Sequence, residues 1–171
     1  MLSDIRRLII RELEGLRREI DLFPDDESIW QTVPGITNSA GNLAMHVCGG
    51  LQHFLGAVLG EDGYVRNREA EFARRSGSRA DVAAELTKTV AVVNDVLSGP
   101  APAWVGKRYP VPVNGLHVRT EMFLLHLATH AAFHLGQAGY LRRFVTQDSR
   151  SASPISIAAI VDEPDAERTT S

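Results

Sequence analysis

Cysteine is almost missing from this chain: Cys48 is the single one among 171 residues. That excludes an internal disulfide framework and a cysteine-rich zinc finger, and it suits a reducing compartment. Aromatic residues are scarce at 6%, so a core must rest on Leu, Ile, Val and Ala. No apolar run reaches the roughly 18 residues that a membrane span needs. The start, Met1-Leu2-Ser3-Asp4, is charged within a few residues and has no apolar signal-peptide core. The formal charge of −3 has the wrong sign for a dedicated nucleic-acid binder. The expectation is a soluble, cytoplasmic protein with a small-molecule substrate and neither a nucleic-acid nor a membrane partner. What the chain does have is 44% hydrophobic residues, enough for one core, and six histidines. A metal site would have to use those histidines together with carboxylates.

Apolar residues at Ile5, Leu8, Ile9, Leu13, Leu16, Ile20 and Phe23 step by three and four, which predicts a first helix over 4–23 with Ser3 as N-cap. Pro24, Pro34 and Gly35 mark a connection. Asn38 or Ser39 then caps a second helix that runs to about Leu59. It contains Gly49, Gly50 and Gly56. Each costs about 1 kcal/mol against Ala, so close packing or room for a ligand should compensate. Residues 60–77 are polar. Ser78 with Asp81 forms an acidic capping box for a third helix over about 79–97. Pro100, Pro102, Pro110 and Pro112 interrupt the next stretch, where Tyr109 to Val113 reads as a short extended piece. A fourth helix spans about His117 to Val145, and its apolar middle, Met122 to Phe133, predicts the most buried helix. Residues 148–171 read as a flexible tail with an apolar island at Ile155 to Val161, leaving 1–147 as the domain. Four amphipathic helices without strand alternation predict an all-α four-helix bundle with long crossover connections.

His126, His130 and His134 recur every fourth residue on the last helix. A pair at that spacing presents two imidazole nitrogens to one cation. Random placement of six histidines would yield on the order of 0.2 such pairs. A third ligand must come from elsewhere, and the second helix offers His46 and His53, seven residues apart. A lone histidine on an apolar helix is ordinarily a hydrogen-bonded core residue, which is the expectation for His53, His117 and His126. Ala131 follows His130, so the general base of the His-Glu-x-x-His zinc proteases is missing.

Three segments resemble the DinB-like superfamily, also described as YfiT-like metalloenzymes. His130-Ala131-Ala132-Phe133-His134-Leu135-Gly136-Gln137 is similar to the family's His-x-x-x-His-x-Gly-Gln signature on the last helix. Asn42-Leu43-Ala44-Met45-His46-Val47-Cys48-Gly49 is similar to its second-helix histidine followed by glycine. Arg66-Asn67-Arg68-Glu69-Ala70-Glu71-Phe72, after Asp62-Gly63, is similar to a segment of one subgroup. The resemblance covers about residues 5 to 146. It implies a helical bundle, often a homodimer, and a divalent metal, nickel or zinc, held by His46, His130 and His134. It further implies chemistry such as transfer to a low-molecular-weight thiol.

Three neutral imidazoles leave a divalent ion with open positions, which is a catalytic arrangement and not a closed structural one. A hydrolase would need a base, and Glu61, Asp62 and Glu71 are candidates that spacing does not place; a solvated charge run is their ordinary reading. A thiol S-transferase needs no such base. Metal-dependent hydrolysis and a non-catalytic metal-binding or dimerisation bundle stand as alternatives. Cys48 reads as a buried, inert thiol. Trp30, Trp104 and Tyr109 either wall a pocket or cap the core.

Overall fold

The computed structural model describes residues 1–98, 102–152, 156, 157 and 160. Among these residues the chain forms six α-helices and no strand: α1 (Leu2–Asp21), α2 (Asp26–Ile29), α3 (Ala40–Leu51), α4 (Arg68–Ala73), α5 (Arg79–Leu97) and α6 (Thr120–Thr146). A π-helical segment, Gln52–Ala57, continues α3. No described helix is long and apolar enough to cross a membrane. The four long helices pack as a ring in which α1 and α3 each touch both α5 and α6. The connections α1–α3 and α5–α6 therefore cross the bundle on its diagonals, which accounts for their length.

The apolar stripe of α1 behaves as its spacing predicts: Ile5, Ile9, Leu13, Leu16 and Ile20 are all buried. Each such side chain contributes about 1.5–3 kcal/mol on leaving water. The helix start differs from expectation. Met1 is the N-cap and Ser3 lies within the first turn, its hydroxyl on Asp4. Ser39 caps α3 in a box with Asn42, and Ser78 caps α5 in the acidic box with Asp81. The short α2 and α4 are additions within stretches that read as connections, capped by Asp25 and Asn67.

The last helix corrects two expectations. Residues 113–119 form turns and isolated bridges, so His117 lies in the connection, exposed, before α6 begins at Thr120. Tyr109 is part of this pairing, its amide donating to the Val118 carbonyl. The apolar middle of α6 is not uniformly buried. Leu124 and Leu127 are inside, but Met122 is 63% and Phe133 61% exposed. A helix apolar on every side has more apolar surface than this bundle covers.

Trp30 and Tyr109 cap the core. Trp30 lies over Gly41 and donates to the Gly77 carbonyl at 2.7 Å, while the Tyr109 hydroxyl donates to the Phe54 carbonyl at 2.6 Å. Trp104 instead borders a cavity of about 420 Å³. Cys48 is buried and its thiol is pushed up to about 12 by that burial, so it is inert, as expected.

One buried ion pair ties the ends of the bundle together. The Arg142 guanidinium on α6 donates from Nε to Glu19 Oε2 on α1 at 2.5 Å, both side chains being almost wholly buried. Its remaining nitrogens donate to the Asp148 carbonyl at 3.1 Å and to the Arg150 carbonyl. Arg18 Nε reaches the Ala152 carbonyl at 3.2 Å. The chain just past α6 is thus held against α1; most of the apolar island Ile155 to Val161 lies outside the described residues. Removing one partner of such a pair strands a buried charge, at about 3–5 kcal/mol. Glu19→Ala should accordingly lower the free energy of unfolding by about that much, measured by urea titration. An effect under about 1 kcal/mol would show the pair to be a surface-type bridge.

Candidate metal centre

The bundle brings His46 of α3 and His130 and His134 of α6 together. One ring nitrogen of each lies within 4.8 Å of the others. The Nε2 atoms of His130 and His134 are 3.1 Å apart. The His46 ring is edge-on to both, with centroids 5.2 and 5.1 Å away. Two nitrogens each about 2.1 Å from one ion are separated by roughly 3.0–3.4 Å, so the His130–His134 spacing is that of two ligands on a shared cation. A shared proton could bridge one pair; the three convergent nitrogens could together hold a metal ion.

The opposite ring edges are fixed. The His46 Nδ1–H donates to Glu71 Oε2 at 3.0 Å. The His134 Nδ1–H donates to Gln137 Oε1 at 2.7 Å. A carboxylate and an amide oxygen only accept, so each bond favours the Nδ1–H tautomer with Nε2 free, while Arg66 Nη2 also lies 3.1 Å from His46 Nδ1. Burial lowers both α6 histidines, His130 to about 4, and neighbouring histidine charge adds to the shift. Both are therefore neutral near pH 7, as ligands must be.

Glu71 is the residue that spacing could not place. It is buried, 25 positions from His46 in sequence. Arg66 donates to it from Nε at 2.7 Å and from Nη2 at 2.8 Å. Burial alone would raise its carboxyl, but the hydrogen bonds from Arg66 and His46 outweigh that and hold it below the ordinary value. The glycine in α3 explains how it fits. A Cβ on Gly49 would stand 2.1 Å from Glu71 Oε1. The space that this glycine opens is filled by the carboxylate and not by a ligand. Gly56 does the same for Asp62, whose carboxylate would be 2.3 Å from a Cβ there.

Asn42 aims the carboxylate. Its Oδ1 accepts from the Ser39 amide at the start of α3, and its Nδ2 donates to the Glu71 and Arg74 carbonyls at 2.9 and 2.8 Å. One side chain thus caps α3 and docks α4 on it, with Phe72 laid 4.6 Å from the His46 ring. Asn42 was visible beside His46 in the sequence, but nothing there signalled its second task.

The other sequence candidates stay outside the trio. His53 is half-buried against Phe54, with ring centroids 4.9 Å apart. His126 is exposed and stacks on Phe123, its ring 5.9 Å from that of His130. Glu61 and Asp62 are exposed on the loop after the π segment, with Asp62 Oδ1 accepting from the Tyr64 amide.

Glu71→Gln keeps the shape of this side chain and removes its charge. Loss of such a partner typically costs 10–100-fold in metal affinity. Isothermal titration with zinc should show that loss, with folding retained by circular dichroism. Gly49→Ala should weaken binding in the same direction while adding helix propensity, because its methyl displaces the carboxylate. Unchanged affinity in both variants would show that Glu71 does not orient His46.

Comparison with known proteins is consistent with this geometry. No curated protein and no solved structure matches the chain. A family model described as the DinB superfamily matches residues 8–138, a span that contains α3, α4, α5 and all three histidines. On that match the chain belongs to the DinB superfamily, a family of helical metal-binding proteins.

Proposed function

We propose that this chain is a metal-dependent enzyme that holds one divalent ion, nickel or zinc, on His46, His130 and His134 and transfers a group to or from a low-molecular-weight thiol. The observation that carries the reading is the state of the one carboxylate beside the centre. Glu71 spends both oxygens on His46 and Arg66. It orients a ligand and is not free to take a proton from water. Glu61 and Asp62 lie exposed on a loop. None of these three carboxylates is a free base beside the centre, whereas thiol transfer needs none.

A bound divalent ion supplies Lewis acidity that lowers the pKa of a thiol or water on it. The chain's own part is to hold three imidazoles convergent, to orient two of them through Glu71 and Gln137, and to leave one side approachable. His130 and His134 are only partly buried, and His134 and Gln137 border an apolar groove of about 660 Å³ with Leu43, Phe133 and Tyr140. A volume of that size suits a small organic substrate. Partial exposure together with three ligands favours a catalytic centre over a closed structural one.

Purified protein loaded with nickel or zinc should carry one ion per chain by mass spectrometry, and His134→Ala should lose it while remaining folded. With a panel of low-molecular-weight thiols and a chloronitrobenzene electrophile, turnover should require both thiol and metal. Absence of metal binding would overturn the reading. Metal-dependent turnover without any thiol would replace transfer by hydrolysis, and unfolding of His134→Ala would favour a structural ion.

A further inference from the structure

The groove beside His134 is walled by two elements. Val33, Pro34 and Ile36 stand on the tight turn before α3, where the Ile36 amide donates to the Val33 carbonyl at 3.0 Å; Phe133, Tyr140 and Phe144 come from α6. None of the residues that line it is Asp, Glu, Lys or Arg. A charged molecule entering it would lose hydration and find no counter-charge, whereas an apolar one gains by leaving water.

Gly136 belongs to the same lining, in the middle of α6. A glycine inside a helix costs stability against Ala, and elsewhere in this chain the reason is visible. A Cβ on Gly139 would stand 3.1 Å from Glu19 Oε1, and one on Gly41 2.7 Å from the Trp30 ring. A Cβ on Gly136 would meet no atom within 4 Å, and its φ is not positive. Neither packing among the described residues nor backbone conformation calls for glycine there. The position keeps a stretch of the groove open towards solvent, beside a metal ligand.

The polar groups of the groove are equally selective. Gln137 Oε1 is taken by His134 Nδ1 at 2.7 Å, which leaves Nε2 as a donor with no partner among the described residues. Asn38, across the groove, carries a second amide that makes no side-chain hydrogen bond among them. Neutral donors on apolar walls suit a neutral molecule that carries an oxygen acceptor.

We propose that this groove seats the electrophilic partner of the thiol, an uncharged and largely apolar organic molecule, and that Gln137 Nε2 donates to an oxygen on it. The proposal rests on the thiol-transfer reading of the histidine trio and names the substrate class for it. Gln137 is then a positioning residue twice over: one end of its amide orients a metal ligand and the other holds the substrate.

Binding tests this without turnover. Phenylnaphthylamine, a neutral dye that brightens in apolar surroundings, should bind the full chain, and anilinonaphthalenesulfonate, the same skeleton with a sulfonate, should bind about tenfold more weakly. Methyl chloronitrobenzoate should displace the dye, and the free chloronitrobenzoate should not. Gly136→Leu puts a side chain into the open space and should weaken the dye by about tenfold, with circular dichroism and zinc content unchanged. Gly136→Ala, which adds helix propensity, should weaken it less and raise the thermal midpoint. Gln137→Met should weaken the ester several-fold and leave the dye unaffected, a selectivity that a merely structural role would not produce. The titrations are run on zinc-loaded and on metal-free protein, the second because a carboxylate ligates zinc directly. Failure to bind zinc with dye and ester still bound would remove the metal reading and leave the groove assignment intact. Equal affinity for the neutral and anionic members of either pair, or an unchanged dye affinity in both Gly136 variants, would overturn the proposal. So would dye binding that falls as protein concentration rises, since a second chain would then fill the groove.

Discussion

A carboxylate pressed against a helix where no side chain stands organises the packing of α4 on α3 beside the three histidines. Glu71 reaches His46 only because Gly49, one turn on, leaves its path open. The contact fixes more than one imidazole. It requires α4 to lie on α3, which Asn42 arranges, and it requires Arg66 to neutralise a charge removed from water. An unpaired buried carboxylate would be protonated or expelled. Paired twice, it stays ionised and keeps the His46 proton on Nδ1. Gly49, which costs helix propensity in α3, is therefore part of the electrostatics of the site, and the polar segment 66–72 is its scaffold.

The second buried charge works at the opposite level. Arg142 and Glu19 join the first and last long helices, and Arg142 also holds the chain as it leaves α6. Three of the four α6 faces are thereby committed: one to the core through Leu124, Leu127 and Leu135, one to the metal centre through His130 and His134, one to this clasp. The register of α6 against α1 and α3 is fixed at two points more than a turn apart. A precise histidine cluster needs that rigidity, because a ligand displaced by even 1 Å no longer meets its ion.

The three histidines were legible in the sequence, and so was the helical class. The His130–His134 pair and the helical class depend on local spacing, which periodicity records directly, and α5 falls where the Ser78–Asp81 box predicts, whereas His46 was separated from His53 only by the resemblance to the family. The role of Glu71 was not legible because its partner is 25 positions away across a loop; spacing alone left Glu61, Asp62 and Glu71 with the same reading, a solvated run. The helices α2 and α4 were missed because four and six residues are too few to show a period. The burial of α6 was overread for a different reason. Hydrophobicity at a position reports that water is to be avoided there, not whether the covering surface belongs to the same chain.

That last ambiguity bears on where chemistry can happen in this bundle. On the helical wheel His130 and His134 stand at the border between the buried side of α6 and its uncharged outer side, with Gln137 one turn beyond His134 and exposed. A centre placed deeper would have no approach for substrate; one placed further out would lose His46 and hydrate its ligands. At the border, the inner edge of each ring meets the trio while the groove of about 660 Å³ opens past His134. Phe133 and Tyr140, both exposed, form part of the apolar rim of that groove. An apolar rim lowers the local dielectric beside a groove and strengthens the electrostatic contacts within it, so the apolar excess of α6 bears on the site next to it.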